Sequence, residues 1–153
     1  GGKEQVDFPA IHCVQPAGNN TIAGPLREGS SLARSCESTT AVGGLQVANV
    51  LDGHEVIRVC RETGGNGYLV ADDYIFEVQA RLAREEGIFC EPAAAVSLAG
   101  VFRAVAQGEI AADETVVCLI TGTGFKDQCA IDRMLADTTC PVISLSEFQR
   151  QSL

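Results

Sequence analysis

The sequence predicts an α/β fold with a mostly parallel sheet that is flanked by helices. Apolar, strand-like segments alternate with helical segments from residue 52 onward, which is typical of repeating βα units. The most apolar segment, 115–120 (TVVCLI), is rich in β-branched residues, as expected of a strand covered on both faces. Because 46% of the 153 residues are hydrophobic, the chain can bury a core, and we assign residues 1–153 to a single domain.

Charge and cysteine usage exclude several classes of function. Twenty acidic and eleven basic residues give a net charge of −9, which repels phosphate backbones and anionic lipids, so we expect neither nucleic acid nor a membrane as a partner. No apolar run approaches the roughly twenty residues of a bilayer span, and residues 1–10 contain no signal-like apolar core. We therefore expect a cytoplasmic protein. Its seven cysteines form no C-x-x-C pair and several lie inside apolar runs, which favours buried free thiols over disulfides or zinc ligands.

The first third of the chain predicts a strand, a long loop and a helix. Residues 10–14 (AIHCV) are typical of a short strand, which a Gln-Pro pair ends. A stretch rich in Gly, Asn and Ser continues to residue 38 and predicts an irregular loop. Asp52 and Glu55 have the spacing of a capping box, and the helix that they begin should end at Gly64.

The middle of the chain predicts a strand, a helix and a very short strand. Residues 68–71 are apolar and bounded by turn residues. Asp72 is positioned to cap the helix that follows, and Gly87 should end it. Residues 88–90 then predict the very short strand.

The last part of the chain predicts two more helices and a final strand. Glu91 stands at the N-cap of a helix that runs to Gly108 and is apolar on nearly every side, which predicts a buried helix. Residues 126–136 predict the next helix, and residues 141–145 (PVISL) predict the last strand.

Two positions are candidates for ligand binding, because parallel sheets bind ligands at the carboxyl ends of their strands. Glu91 follows a predicted short strand, and residues 121–124 (TGTG) follow segment 115–120. Glycines there let backbone amides approach a ligand, and the Thr121 hydroxyl can donate one hydrogen bond and accept others. A plain strand-to-helix turn and a plain helix cap remain the alternatives. A dinucleotide fingerprint is disfavoured because Asp127 stands where its third glycine would be.

The two histidines predict no further chemistry. His12 lies in an apolar segment, and His54 lies in the first turn of a predicted helix. Neither has a spacing to Cys, Asp or Glu that is typical of a metal site or a catalytic triad. We assign no catalytic residue and no metal ligand to this chain.

The order of motifs between residues 70 and 127 resembles a known family. A helix, the sequences EGI and EPAAA, a helix of small residues, an apolar strand and TGTGFKD follow one another. This order resembles the carboxyl-terminal half of the catalytic domain in fold type II pyridoxal-phosphate enzymes, threonine synthase in particular. The resemblance extends over residues 10–145 and is most specific at 87–95 and 116–127.

The resemblance implies a cofactor and roles for three residues. The fold would be a partial three-layer domain of the fold type II kind, and the cofactor would be pyridoxal 5'-phosphate. Thr121 would face the pyridine nitrogen, Gly122 would let the backbone pass beneath the ring, and Glu91 would lie near the pocket. A neutral hydroxyl, unlike a carboxylate, does not force the ring nitrogen to stay protonated.

The resemblance also implies that this chain is one part of an enzyme. Its two lysines, Lys3 and Lys126, do not match the Schiff-base lysine of the family, and no glycine-rich phosphate loop is present. We therefore expect the carboxyl-terminal part of a larger catalytic domain, inactive alone, whose partners are the upstream half of the same enzyme and a small amino-acid substrate. A severed sheet edge could also pair with a second copy of the chain, forming a homo-oligomer.

The expected reaction is that of threonine synthase, the conversion of O-phosphohomoserine to threonine. Thr123 replaces a histidine that is common in threonine synthases, and Ala94 replaces a usual Ser or Gly. A threonine/serine dehydratase-like enzyme therefore stays open as an alternative. The other alternative is an α/β binding module without catalytic activity.

Overall fold

The computed structural model describes residues 8–139 and 141–151 of the chain. In these residues it has two strands, six α-helices and two 3-10 turns. The strands are β1 (Cys13–Pro16) and β2 (Gly67–Val70). The helices are α1 (Ala23–Arg27), α2 (Gly53–Glu62), α3 (Asp72–Glu85), α4 (Pro92–Ala106), α5 (Gln128–Met134) and α6 (Leu145–Gln151). The 3-10 turns are Ala17–Asn19 and Gly124–Lys126.

Strands β1 and β2 pair in parallel, with Cys13 opposite Gly67. Successive residues of a strand point to opposite faces of its sheet. Accordingly, Cys13 packs on the cluster formed by α1 and α2, which includes Ile57, whereas Val14 packs on the cluster formed by α3 and α4. Helices thus cover both faces of a parallel sheet, which confirms the predicted α/β class.

Helix α4 is buried because its small residues let it approach the sheet closely. A Cβ atom built on Gly100 would lie 2.3 Å from a methyl group of Val14. Three alanines of α4 are completely buried in the core cluster that also contains residues of α3: Ala94, Ala95 and Ala99. The predicted buried helix is therefore confirmed, and its first residue is held against the core.

The predicted ends of the helices are also confirmed. Gly64, Gly87 and Gly108 follow α2, α3 and α4, and each has a positive φ, between 69° and 77°. A residue with a Cβ atom is strained in this conformation, whereas glycine adopts it freely. The glycines therefore mark the C-terminal ends of all three helices.

The acidic caps predicted for α2 and α3 are wrong. Asp52 occupies the N-cap of α2, but its side chain makes no capping hydrogen bond, and Glu55 forms an ion pair of 2.8 Å with Arg58 instead. The N-cap of α3 is Ala71, so Asp72 lies inside the helix. The carboxylate of Asp72 accepts hydrogen bonds from Thr40 and Ala41, which lie 32 and 31 residues earlier in the sequence.

Asp72 anchors the loop that precedes α2. Its oxygens accept hydrogen bonds from the hydroxyl of Thr40, at 2.7 Å, and from the backbone N–H of Ala41, at 2.6 Å. We expect Asp72→Ala to lower the free energy of unfolding by about 2 kcal/mol, because the hydroxyl of Thr40 is buried and would lose its acceptor. Urea denaturation measures this change.

The neighbouring Asp73 provides the matched control. Its side chain is 93% exposed and meets only Arg133, at 3.3 Å, in an ion pair on the surface. We expect Asp73→Ala to cost less than about 0.5 kcal/mol. Both substitutions remove one carboxylate from the first turn of α3, so the effect on the helix dipole is similar. Equal losses would contradict the anchoring role of Asp72.

The first predicted strand and the loop after it differ in detail from the structure. Strand β1 begins at Cys13, three residues later than residue 10, and the predicted loop contains helix α1. The side-chain oxygen of Gln15 accepts hydrogen bonds from the backbone N–H groups of Ile22 and Ala23, at 2.8 and 2.9 Å. A five-residue helix has no detectable apolar period, and this support comes from another element, so the sequence did not indicate it.

The predicted strand 115–120 is not paired with another strand in the part of the chain that the structure describes. Val117 is 82% exposed and Leu119 is 74% exposed. A strand is defined by hydrogen bonds to a neighbouring strand, and no described segment lies beside this one in that way. Residues 88–90 likewise contribute only a single antiparallel bridge, between Cys90 and Thr123.

The predicted strand 141–145 is wrong, because helix α6 begins at Leu145. Ser144 and Glu147 form the reciprocal hydrogen bonds of a capping box: the Ser144 N–H donates to the Glu147 carboxylate at 2.7 Å, and the Glu147 N–H donates to the Ser144 hydroxyl at 3.3 Å. The helix predicted for 126–136 is shorter than expected. It starts at Gln128, after Asp127, whose carboxylate accepts from the Ala130 N–H at 3.0 Å.

The six cysteines of residues 8–139 are free, as predicted, but the prediction that they are buried is wrong for most of them. Only Cys60 and Cys90 are buried, whereas Cys129 is exposed and the others are half-buried. Within residues 8–139 and 141–151, every helix is too short or too polar to cross a bilayer.

Candidate functional site

The TGTG turn is tied to the start of helix α4 by backbone hydrogen bonds. The Glu91 N–H donates to the carbonyl of Gly122 at 3.0 Å, and the Gly124 N–H donates to the carbonyl of Phe89 at 3.1 Å. These hydrogen bonds flank the antiparallel β-bridge between Cys90 and Thr123. Residues that are 30 positions apart in sequence therefore meet at the N-terminus of a buried helix.

The three predicted site residues, Thr121, Gly122 and Glu91, lie together at this junction. The hydroxyl of Thr121 donates a hydrogen bond to Oε1 of Glu91 at 2.9 Å. Nζ of Lys126 lies 2.8 Å from the other carboxylate oxygen, Oε2. Glu91 occupies the N-cap of α4, as predicted, but its side chain does not cap the helix and instead contacts Thr121 and Lys126.

The two glycines of the turn permit this close packing. A Cβ atom built on Gly122 would lie 2.5 Å from Oε1 of Glu91, and one built on Gly124 would lie 2.5 Å from the ring of Phe89. That ring packs edge-to-face on Phe125, with centroids 5.0 Å apart. Glycine at position 122 thus lets the turn approach the Glu91 carboxylate, and Gly122 is half-buried beside the exposed residue Thr121.

The carboxylate of Glu91 is charged at neutral pH although its side chain is only 12% exposed. Its hydrogen bond from Lys126 is the main reason that its pKa lies below the usual range, and the bond from Thr121 lowers the pKa further, while burial opposes both. Burial raises the pKa of the neighbouring Cys90 thiol, so that group is neutral. Glu91 therefore accepts hydrogen bonds and cannot donate one.

This lowered pKa predicts a pH-dependent contribution to stability. A carboxylate whose pKa is depressed in the folded state stabilises the fold above its ordinary pKa of 4.5, and the contribution is lost as the pH falls through the folded value. We expect Glu91→Gln to lower the free energy of unfolding by about 1 kcal/mol at pH 7, since Lys126 is well exposed to solvent. In urea denaturation, the difference in free energy of unfolding between the unsubstituted chain and Glu91→Gln should shrink as the pH falls below 4.5. A difference that stays constant with pH would contradict this role of Glu91.

Sequence reasoning missed the role of Lys126. Nothing in the spacing of Lys126 indicates an ion pair with Glu91. The 3-10 turn Gly124–Lys126 bends the chain back over the start of α4 and creates the contact. Asp127 is the N-cap of helix α5, and its position directly before the helix, three residues ahead of Ala130, is a sequence signal for that role.

A parallel α/β domain with a hydroxyl-and-glycine turn at the start of a buried helix has the architecture of a fold type II pyridoxal-phosphate enzyme. Residues 2–122 match the family described as "Pyridoxal-phosphate dependent enzyme", and the chain belongs to this family. The match includes Glu91, Thr121 and Gly122. Pyridoxal phosphate is the cofactor of the family.

Several threonine synthases are similar to this chain. The protein from Methanocaldococcus jannaschii is 38% identical over 128 residues, which are 83% of this chain and 32% of that protein. The protein from Methanosarcina acetivorans is 36% identical over 127 residues, which are 82% of this chain and 31% of that protein. The chain thus spans about a third of the length of these curated relatives.

Solved structures share the fold at lower sequence identity. Maize serine racemase superposes with a TM-score of 0.59 at 16% identity, over 84% of this chain and 39% of that one. The T.th. threonine deaminase superposes with a TM-score of 0.51 at 21% identity, over 63% of this chain and 35% of that one. At these identities the likeness establishes the fold alone.

Proposed function

We propose that this chain is the carboxyl-terminal part of a larger catalytic domain in a threonine synthase-like lyase, which converts O-phosphohomoserine and water to threonine and phosphate. The observation that carries the proposal is the junction of Thr121, Gly122 and Glu91 at the start of α4. The similarity to threonine synthases supports the choice of reaction.

The junction fits one side of the cofactor. Bound pyridoxal phosphate supplies an electron sink for negative charge that develops on an amino-acid substrate. Thr121 would hold the pyridine nitrogen through its exposed hydroxyl, and Gly122 would leave room for the flat ring. Glu91 would orient the hydroxyl of Thr121. Lys126 is engaged with Glu91, so the lysine that binds the cofactor and the phosphate loop would come from the upstream half of the enzyme.

The exposed segment 115–120 supports the existence of that upstream half. Its outward side chains, Val117 and Leu119, are among the most exposed large apolar residues described. The sheet has only two strands in the described residues, whereas parallel sheets are normally larger and covered on both faces. A neighbouring strand from the upstream half would pair with the backbone of segment 115–120, and the helices that connect such strands would cover these side chains.

A threonine/serine dehydratase-like activity is the second candidate, because Thr123 stands where threonine synthases commonly have a histidine and Ala94 stands where they usually have Ser or Gly. Such an enzyme converts threonine to 2-oxobutanoate and ammonia. A binding module without catalysis is the third candidate, since the described site contains no lysine free of an ion pair. The two enzymes would release different products, and the binding module would release none.

The protein encoded by the uninterrupted natural gene provides the test. It is incubated with pyridoxal phosphate, reduced with borohydride and analysed by mass spectrometry, with the 153-residue chain as control. We expect a lysine-linked cofactor in the natural protein only. Release of phosphate and threonine from O-phosphohomoserine would support threonine synthase, and 2-oxo acids from threonine or serine would support the dehydratase. A natural protein that binds no cofactor would overturn both.

A further inference from the structure

The buried face of helix α3 contains one polar residue, Gln79, among apolar ones. Only 1% of the surface of Gln79 is exposed to solvent. Its side-chain amide donates a hydrogen bond from Nε2 to the backbone carbonyl of Cys90 at 2.8 Å. Helix α3 therefore contacts the residue that directly precedes Glu91.

Gln79 does not fill the core as an apolar residue would. The second polar atom of its amide, Oε1, has no hydrogen-bond partner among the described residues, and a buried polar atom without a partner costs free energy. The opposite orientation of the amide would be worse, because it would place Oε1 against the carbonyl oxygen of Cys90. The donor that points at this carbonyl is therefore the feature that distinguishes Gln79 from an apolar residue of similar size.

The carbonyl that Gln79 binds belongs to the peptide group between Cys90 and Glu91. A peptide group is planar, and in its trans form the C=O and the N–H point in opposite directions. The carbonyl accepts from Gln79, and the N–H of Glu91 donates to the carbonyl of Gly122 at 3.0 Å. Both hydrogen bonds belong to one rigid unit, so a peptide group that turned away from α3 would also turn away from the TGTG turn.

We propose that Gln79 is a positioning residue, whose hydrogen bond to the Cys90 carbonyl fixes the peptide group that joins the start of α4 to the TGTG turn. The position of the Glu91 carboxylate beside Thr121 and Lys126 depends on this peptide group, because Glu91 is attached to it. The inference rests on the proposed function only in treating this junction as one side of the cofactor site. The hydrogen bonds themselves do not depend on that function.

Gln79→Met tests the inference, because methionine has a similar size but donates no hydrogen bond. The Cys90 carbonyl would be left buried without a partner, so the peptide group would no longer be held toward α3. In the 153-residue chain, we expect the Glu91 amide proton to exchange with solvent about fivefold faster, the effect of losing one hydrogen bond of ordinary net strength. Proton–nitrogen NMR measures this rate relative to that of Gly65, whose N–H donates to the Cys60 carbonyl in the loop before β2.

The carboxylate of Glu91 provides a second readout. Its hydrogen bonds from Lys126 and Thr121 hold its pKa below the usual range, and both weaken when Glu91 is free to move. The pKa of the Glu91 carboxyl group should therefore rise toward its ordinary value in Gln79→Met, which ¹³C NMR of that group measures. If neither the amide exchange nor this pKa changes, the inference is wrong.

Val78→Ala is the matched control, because Val78 precedes Gln79 in α3 and is completely buried, but its side chain has no hydrogen-bonding group. This variant should lower the urea concentration at the midpoint of unfolding and leave both readouts at Glu91 unchanged. An equal effect at Glu91 in Val78→Ala would contradict the inference, because loss of packing alone would then explain it.

Gln79→Glu provides a rescue that keeps the inference testable even if Gln79→Met does not fold. A buried carboxyl group stays protonated above its ordinary pKa, and its O–H can donate to the Cys90 carbonyl as the amide does. We expect slow exchange at Glu91 while this group is protonated, and faster exchange relative to Gly65 once it ionises. A ratio of the two rates that does not follow this ionisation would overturn the inference.

None of these measurements requires the cofactor. A natural protein that binds no pyridoxal phosphate would therefore overturn the proposed function and leave this inference standing. Unchanged readouts at Glu91 in Gln79→Met would overturn the inference and leave the proposed function standing.

Discussion

Replacing Gly67 by alanine is expected to lower the free energy of unfolding by about 3 kcal/mol, the upper end of the usual cost of overpacking a core. A Cβ atom at this position would lie 2.3 Å from the carbonyl oxygen of Ala23 and 2.7 Å from its Cα atom. Both are backbone atoms of helix α1, so no side-chain rotation can relieve the clash. Either β2 or α1 would have to move, and β2 is paired with β1 along its whole length.

Gly64 provides the control for this experiment. It has a φ of +77° and open space around it, so Gly64→Ala costs only the strain of the left-handed conformation, about 1 kcal/mol. Urea denaturation of the two variants at equal protein concentration compares them directly. A loss at Gly67 no greater than that at Gly64 would show that α1 can move away from β2 at little cost.

The sequence predicted those elements whose signals lie within the element. Helices α2 and α3 carry their own apolar periods, helix α4 is apolar on nearly every side, and all three end at their own glycines, so local reasoning located them. The hydrogen bonds of Asp72 and the start of α1 depend on residues from other elements, and no local pattern indicates them. Segment 115–120 has the composition of a strand, but pairing requires a neighbour, and composition does not supply one.

The same distinction applies to the candidate site. The rule that ligands bind at the carboxyl ends of strands pointed to Glu91 and Thr121 separately, and the structure brings them within a hydrogen bond of each other. Lys126 completes the arrangement through a turn that no period or motif predicts. The hydrogen bond from Lys126 is the main reason that Glu91 is charged, and a charged Glu91 can only accept the hydrogen bond from Thr121.

Replacing Leu119 by lysine is expected to act differently in the 153-residue chain and in the natural protein. In this chain Leu119 is 74% exposed, so the change should alter the free energy of unfolding by less than about 0.5 kcal/mol. If the upstream half extends the sheet beside segment 115–120 and covers its outward face, as we propose, the same lysine would place an unpaired charge in a buried sheet. The natural protein should then lose at least about 3 kcal/mol, or fail to accumulate in the soluble fraction.

Leu51→Lys is the matched control for Leu119→Lys, because Leu51 is 90% exposed and lies in the turn before helix α2. It introduces the same charge outside the proposed interface and should be tolerated in both proteins. Thermal unfolding of all four variants, together with their yields of soluble protein, gives the comparison. A natural protein in which Leu119→Lys is as stable as Leu51→Lys would mean that segment 115–120 stays uncovered. A central parallel strand is covered on both faces and does not tolerate an unpaired charge on either of them. A tolerated lysine would therefore contradict the proposal that this chain completes a larger sheet, whatever its cofactor chemistry.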